Sequence, residues 1–146
     1  MNIAIACDHA ALELKNQMAE HLRKVGHDVK DHGVKTLDSV DYPDYAKLVV
    51  KDVQAGAAQV GVLLCGTGQG MAMAANKAKG IRAALLSDTF SARMAREHNN
   101  ANVVCFGARV LGPELVRECL DAFLAASFAG GKHEKRVGKI MDMQGC

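Results

Sequence analysis

The chain has 146 residues, 49% of them hydrophobic, with 18 Lys and Arg against 16 Asp and Glu and a formal charge of +2. That length suits one domain, residues 1–146, able to bury a core without disulfides or a structural metal. So balanced a charge excludes a sequence-independent nucleic-acid binder held by phosphate neutralisation and leaves room for a small anionic ligand.

No apolar run approaches the roughly 20 residues of a bilayer span, and Met1–Ile5 lacks the basic and long apolar regions of a leader. The expectation is a soluble, cytoplasmic protein that engages no membrane. Cysteines at 7, 65, 105, 119 and 146 include no C-x-x-C pair, which argues against a disulfide framework and a zinc site and for reduced thiols.

In chain order, Met1–Ala6 is an apolar strand ending at Cys7-Asp8-His9, and Leu14, Met18, Leu22 and Val25 follow at helical spacing up to Gly26. His27–His32 alternates as a second strand. A polar connection runs from Gly33 to Pro43, and Ala46, Val49, Val50 and Val53 mark a helix closed by Gly56. Three more strand-helix units follow: Val60–Leu64 with 68–79, Ile81–Leu86 with Thr89–Glu97, and Val103–Phe106 with 113–126. Ala129-Gly130-Gly131 then separates a basic stretch, Lys132–Lys139, expected to form a final helix that docks on a partner subunit.

Strands alternating with helices predict right-handed crossovers and a parallel sheet covered on both faces. The predicted fold is α/β: a Rossmann-like three-layer α/β/α sandwich with a five-stranded parallel sheet and a C-terminal helical tail. Such sheets bind ligands beyond the carboxyl ends of their strands. Four loops emerge there: Cys7-Asp8-His9, Cys65-Gly66-Thr67-Gly68-Gln69-Gly70, Ser87-Asp88 and Gly107-Ala108-Arg109.

The glycine-rich loop fails three familiar patterns. A P-loop needs Lys-Ser/Thr where Met71-Ala72 stands, and a dinucleotide fingerprint needs its third glycine one place beyond Gly70. A cysteine phosphatase of the C-x5-R type needs arginine at Met71. What remains is a thiol at a helix N-terminus, where the dipole and free N–H groups favour a thiolate that could act as a general base. The alternative is that Cys65 is a buried small hydrophobe closing a strand.

Asp8 either caps the following helix or joins His9 in chemistry. His98 lies where the fourth helix ends and suits a C-terminal charge as well as a catalyst. Arg109 and the run Lys132-His133-Glu134-Lys135-Arg136 could bind phosphate or, for the run, form a solvated helix face. Asp8, His9 and His98 match no compact metal-site spacing. Cys105 and Cys119 fall on apolar faces, Cys7 packs behind Asp8, and Cys146 has no evident role.

Taken together, the chain resembles the type B ribose-5-phosphate isomerases, a family that includes galactose-6-phosphate isomerase subunits. The resemblance runs nearly end to end. It rests on Ala6-Cys7-Asp8-His9, Asp41-Tyr42-Pro43, the Cys65–Gly70 loop, Ala74-Ala75-Asn76-Lys77 with Gly80-Ile81-Arg82-Ala83, Ser91-Ala92 and His98-Asn99. It continues through Asn102-Val103, Phe106-Gly107-Ala108-Arg109 and 130–137.

The resemblance implies interconversion of ribose 5-phosphate and ribulose 5-phosphate, a pentose phosphate pathway step, without metal or organic cofactor. It implies Cys65 as the base, backbone N–H groups from Gly66 through Gly68 and Gln69 to Gly70 as oxyanion donors, and Thr67 as a hydroxyl contact. His98 would open the furanose ring with help from Asp8. Asp8 and His9 would hold sugar oxygens, Asn99 would line the enediolate end, and Arg109, Lys132, His133 and Arg136 would meet the phosphate. Of these phosphate ligands Arg136 is favoured over Lys132, which lacks bidentate geometry. One branch of the family uses glutamate at the place of Met71, so this chain resembles the cysteine branch. His98, Asn99 and Arg109 are expected from the partner in a homodimer or tetramer, and pentose against hexose phosphate stays open.

Overall fold

The structure, a computed structural model, describes residues 1–145; Cys146 lies outside the described residues. The strands are β1 (Asn2–Cys7), β2 (Asp28–Asp31), β3 (Val60–Cys65), β4 (Ala83–Leu85) and β5 (Val103–Gly107). The helices are α1 (Leu12–Lys24), α2 (Tyr42–Gln54), α3 (Gln69–Ala75), α4 (Thr89–Glu97), α5 (Pro113–Ala125) and α6 (Lys132–Asp142). Short 3-10 turns occupy His9–Ala11 and Met143–Gly145.

The five strands pair in parallel in the order β2-β1-β3-β5-β4. The chain builds outward to one side of β1 with β2 and to the other with β3, β5 and β4. That reversal opens a crevice beyond the carboxyl ends of β1 and β3, where α/β sheets of this kind receive ligands.

Side-chain alternation divides the core into two layers. Ile3, Ile5, Val62, Leu64, Val104 and Phe106 face α1 and α5, meeting Leu14, Met18, Leu22, Val116, Leu120 and Phe123. Ala4, Ala6, Leu63, Cys65, Val103 and Cys105 face α2 and α3, meeting Ala46, Val49, Val50, Met71 and Ala75. Because both faces are covered, all six residues of β3 are buried, which is why this strand reads as a continuous apolar run. Truncating a fully buried leucine here, such as Leu63, to alanine costs about 2–5 kcal/mol.

Local structure departs from the sequence pattern in three places. The third helix stops at Ala75 instead of Lys79 because the Asn76 amide accepts from Ala83 N–H and donates to Ala83 O, both at 2.8 Å, turning the chain toward β4. The fourth strand shortens to three residues, since Arg82 N–H is taken by the Asn102 side chain at 2.8 Å instead of the ladder. Val25, at the end of the first helical stripe, lies past the last turn of α1 and is half exposed.

Candidate active site

Strand β3 carries Cys65 to the crevice and ends there, because the next residues cannot continue a strand. Gly68 sits at φ +77°, a left-handed conformation that glycine takes without steric cost, and α3 starts immediately afterwards. The turn aims the Gly68 N–H at Cys65 Sγ, 3.1 Å away. Thr67 Oγ1 accepts from Gln69 N–H at 3.3 Å, so its hydroxyl hydrogen is free to face a ligand. The N–H groups of Gly66, Thr67 and Gly70, in the same loop, have no acceptor among the described residues. Cys65 is buried but retains 5% exposure, whereas Met71, facing the core from α3, retains none.

The loop lies directly on the end of β5. A Cβ added to Gly107 would stand 2.6 Å from the Thr67 carbonyl carbon, so the close approach depends on the missing side chain. From the same strand end, Arg109 N–H donates to Gly66 O at 2.9 Å, and its exposed side chain lies over Gly66. Arg109 therefore stands at the rim of its own chain's cysteine loop.

The neighbouring strand brings Asp8 and His9 to the same crevice. Asp8 N–H donates to Leu64 O at 3.2 Å, placing this corner beside the end of β3. One carboxylate oxygen, Oδ1, accepts from Ala10 N–H at 2.9 Å and caps the short turn; Oδ2 is left for another partner. Capping and chemistry are thus compatible at Asp8. His9 Nδ1 accepts from Val40 N–H at 3.2 Å, which places the proton of the neutral ring on Nε2.

His98, Asn99 and the tail lie elsewhere. Helix α4 returns from the carboxyl end of β4 and ends at His98, just before β5 begins, so His98 sits at the amino end of the sheet. A strand of five or six residues separates the two ends by about 17 Å, more than a side chain can span. The tail packs against this end: Ala129 N–H donates to Glu97 O at 2.9 Å, and the His133 ring stacks on His98. Lys132 and Arg136 are exposed on the same first turns of α6. Partial burial and the positive charge of His98, Lys132 and Arg136 hold the His133 pKa below its ordinary value. A groove of about 410 Å³ beside Asn99 is lined by Asn76, Ile81, Arg82 and Met143, with no residue of the cysteine loop.

Within one chain the residues therefore form two groups. Cys65, the 66–70 loop, Asp8, His9 and Arg109 gather at the carboxyl end; His98, Asn99, Lys132, His133 and Arg136 gather at the amino end. The expected trio of His98, Asn99 and Arg109 is split between them.

Two features escaped the sequence pattern. Tyr42 covers Gly70, so closely that an added Cβ there would meet the ring at 2.5 Å; Asp41-Tyr42-Pro43 was its signal. Lys15 is 2% exposed and bonded to Asp31 at 2.7 Å. Its place four residues after Ala11 and before Ala19, both buried, was the available clue.

Among the described residues, no helix is long and apolar enough to cross a membrane. Residues 3–140 match the Ribose/Galactose Isomerase family. The chain is 44% identical over 138 residues to ribose-5-phosphate isomerase B of Escherichia coli, covering 94% of this chain and 93% of that one. The Clostridium thermocellum ribose-5-phosphate isomerase B structure superposes with a TM-score of 0.98 at 44% identity, covering 99% and 98% of the two chains. A Mycoplasma genitalium ribose-5-phosphate isomerase B, solved with bound ribulose-5-phosphate, gives 0.95 at 42% identity over 99% and 96%. With its sheet order, cysteine loop and near-complete coverage by these relatives, the chain belongs to the Ribose/Galactose Isomerase family.

Proposed function

We propose that the chain is an aldose-ketose isomerase that interconverts ribose 5-phosphate and ribulose 5-phosphate, working as a cytoplasmic homo-oligomer with active sites shared between subunits. The observation that carries this reading is Cys65 Sγ at the strand end, accepting from the Gly68 N–H in a loop whose Gly66, Thr67 and Gly70 N–H groups are unpaired among the described residues.

Starting from the open-chain aldose, the Cys65 thiolate removes the C2 proton. The electron pair moves into a C1–C2 double bond, and the carbonyl oxygen on C1 becomes an enediolate oxygen. The N–H groups of Gly66, Thr67 and Gly70 stabilise that developing charge, which is where preorganised donors lower a barrier most. Return of the proton to C1, with transfer of the O2 hydrogen to O1, leaves a hydroxyl on C1 and the ketose carbonyl at C2. One base that reaches both carbons suffices, and Thr67 Oγ1 and Gln69 order the loop around it.

Closed furanoses must open first. His98 of the second subunit supplies the proton to the ring oxygen, with Asp8 taking the anomeric hydroxyl proton and His9 Nε2–H holding a sugar oxygen. Asn99 lines the enediolate end. His133, Arg136 and Lys132 meet the phosphate from the tail, and Arg109 adds a guanidinium at the loop rim. The two-ended placement of these groups supports assembly of one site from two chains.

Proton exchange tests the reading. In deuterated water the native protein should incorporate deuterium at the sugar carbons on turnover, and Cys65→Ala should abolish incorporation with an unchanged circular dichroism spectrum. A Cys65→Ala variant exchanging at the native rate sinks the base assignment. Parallel assays with allose 6-phosphate and galactose 6-phosphate decide substrate length. One carbon is worth about 10- to 200-fold in kcat/KM, so a larger preference for the pentose fixes the class.

A further inference from the structure

Lys15 is among the largest buried side chains of the described residues, and the isomerase chemistry gives it no task. Its ammonium reaches across from α1 to the end of β2 and donates to Asp31 Oδ2 at 2.7 Å. The second oxygen, Oδ1, accepts from Gly33 N–H at 2.9 Å, an Asx turn that redirects the chain as it leaves the sheet. Beyond that turn Cys7 N–H donates to Gly33 O at 2.8 Å and Val34 N–H donates to Cys7 O at 3.3 Å. The backbone is thereby stitched to the residue preceding Asp8.

From the buried Val34 the chain runs over exposed residues 35–39 to Val40, whose N–H donates to His9 Nδ1 at 3.2 Å. Between those points the segment has one side-chain bond of its own, Thr36 Oγ1 to Asp38 at 2.9 Å. Its course is therefore set at its ends. One end is the Asp31 turn and the other is His9 itself.

We infer that Asp31, neutralised and oriented by Lys15, is a positioning residue for His9: it sends the 33–40 segment along the path that delivers the Val40 N–H to Nδ1. The consequence is chemical, because an occupied Nδ1 keeps the neutral ring as the Nε2–H tautomer. A ring freed from Val40 would also populate the Nδ1–H tautomer and in that fraction present the sugar with a lone pair in place of a donor. Burying the lysine of an ion pair is a costly way merely to fill space, since an apolar residue of similar volume often does so as well or better. The inference rests on the proposed role of His9 as a sugar contact, but the tautomer itself is measurable without substrate.

The test compares the native protein with two double variants that leave no lone buried charge. Lys15→Met/Asp31→Asn keeps a side-chain oxygen to accept from Gly33 N–H, and Lys15→Met/Asp31→Leu removes it. Nitrogen-15 spectra of histidine-labelled protein, with His9 assigned through His9→Gln, report the tautomer. The asparagine double should retain the native His9 signal and KM. The leucine double should show an averaged His9 signal and a KM for ribose 5-phosphate about tenfold higher at nearly native kcat, the loss of one oriented contact. A native His9 signal in both doubles, or equal loss in both, overturns the inference. If the native protein does not turn over ribose 5-phosphate, the isomerase reading fails while the substrate-free spectra still decide the anchor.

Discussion

The His98 and His133 rings stack with centroids 4.1 Å apart and planes 8° from parallel, tying the end of α4 to the first turn of α6. Two imidazoles this close cannot both gain a proton without repulsion. Partial burial lowers the His133 pKa from its ordinary value of 6.5, and His98, Lys132 and Arg136 lower it further. A depressed base binds fewer protons in the folded chain than in the unfolded one. Its effect is therefore to make stability fall as pH drops below 6.5 toward the folded value. Replacing His98 with asparagine should move the His133 titration upward, and inorganic phosphate should do the same in the native protein. Both shifts are read by following the imidazole proton resonances against pH. An unmoved His133 in His98→Asn would show that the stack does not set its protonation.

Because Cys65 and His98 stand at opposite ends of one sheet, a shared site makes a quantitative demand. Cys65→Ala and His98→Asn should each be nearly inactive as a homodimer. Unfolding and refolding an equal mixture places half of the chains in hybrids, each with one intact site and one doubly damaged site. Recovery of about a quarter of native activity is expected for a two-fold dimer with random exchange. No recovery, with hybrid dimers demonstrated by mass spectrometry, would place the whole site within one chain.

What could be read from sequence follows the range of the interactions involved. The β3 run, the Gly68 turn and the start of α3 are local and appear as composition and spacing. The early end of α3 depends on Asn76 finding Ala83, seven residues on, which helical propensity alone does not report. Asp31 lies 16 residues from Lys15 in the chain, and His133 lies 35 beyond His98, so neither pairing leaves a periodic trace. Lys15 lies on the same face of α1 as the buried Ala11 and Ala19, but its residue type argues for the surface. The site's two-ended layout follows from the alternation of strands and helices, which sends α4 back to the amino edge.

Gly107 offers a direct test of loop placement. Its added Cβ would stand 2.6 Å from the Thr67 carbonyl carbon and 2.7 Å from the oxygen, so Gly107→Ala must push the cysteine loop outward. Forced overpacking of this kind costs about 1–3 kcal/mol of stability. Misplacing the donors should cost about 100-fold in kcat. Gly112→Ala is the control, since its Cβ would meet nothing within 4 Å and its φ of −73° suits alanine. Activity and thermal unfolding of the two variants separate loop placement from any general effect of a methyl group.

Asp52 links β2 to α2 by accepting from His32 Nε2 at 2.6 Å and Lys30 Nζ at 2.9 Å. Burial alone would raise its pKa, but these two donors outweigh it and hold the carboxyl below its ordinary 3.8. A depressed carboxylate stabilises the fold above its unfolded pKa, and the contribution disappears as pH falls through the folded one. Asp52→Asn should therefore destabilise by about 1 kcal/mol at pH 7 and converge with the native protein in strong acid below the folded pKa. Denaturant unfolding at several pH values checks the convergence. A constant difference throughout would assign the effect to packing.

Thiol reactivity should single out the proposed base. Cys7, Cys105 and Cys119 have no exposed surface, whereas Cys65 opens onto the crevice. Burial pushes the Cys7 pKa up to about 11, outweighing the Val34 N–H bond and the Lys15 charge, which pull it down. Cys105 is also raised, chiefly by burial and then by Cys65, as is Cys119 by burial and then Asp88 and Glu118. Thiolate is the reactive form, so the three core thiols should stay unmodified in the folded protein at pH 7.5. In a Cys146→Ser background, iodoacetamide should alkylate one residue, Cys65, with activity falling in step. Saturating ribose 5-phosphate should slow the reaction. Peptide mass mapping that found Cys7 or Cys105 labelled first would show that the strand ends open on this timescale, and protection by substrate would then have to be traced to the fold instead of the site.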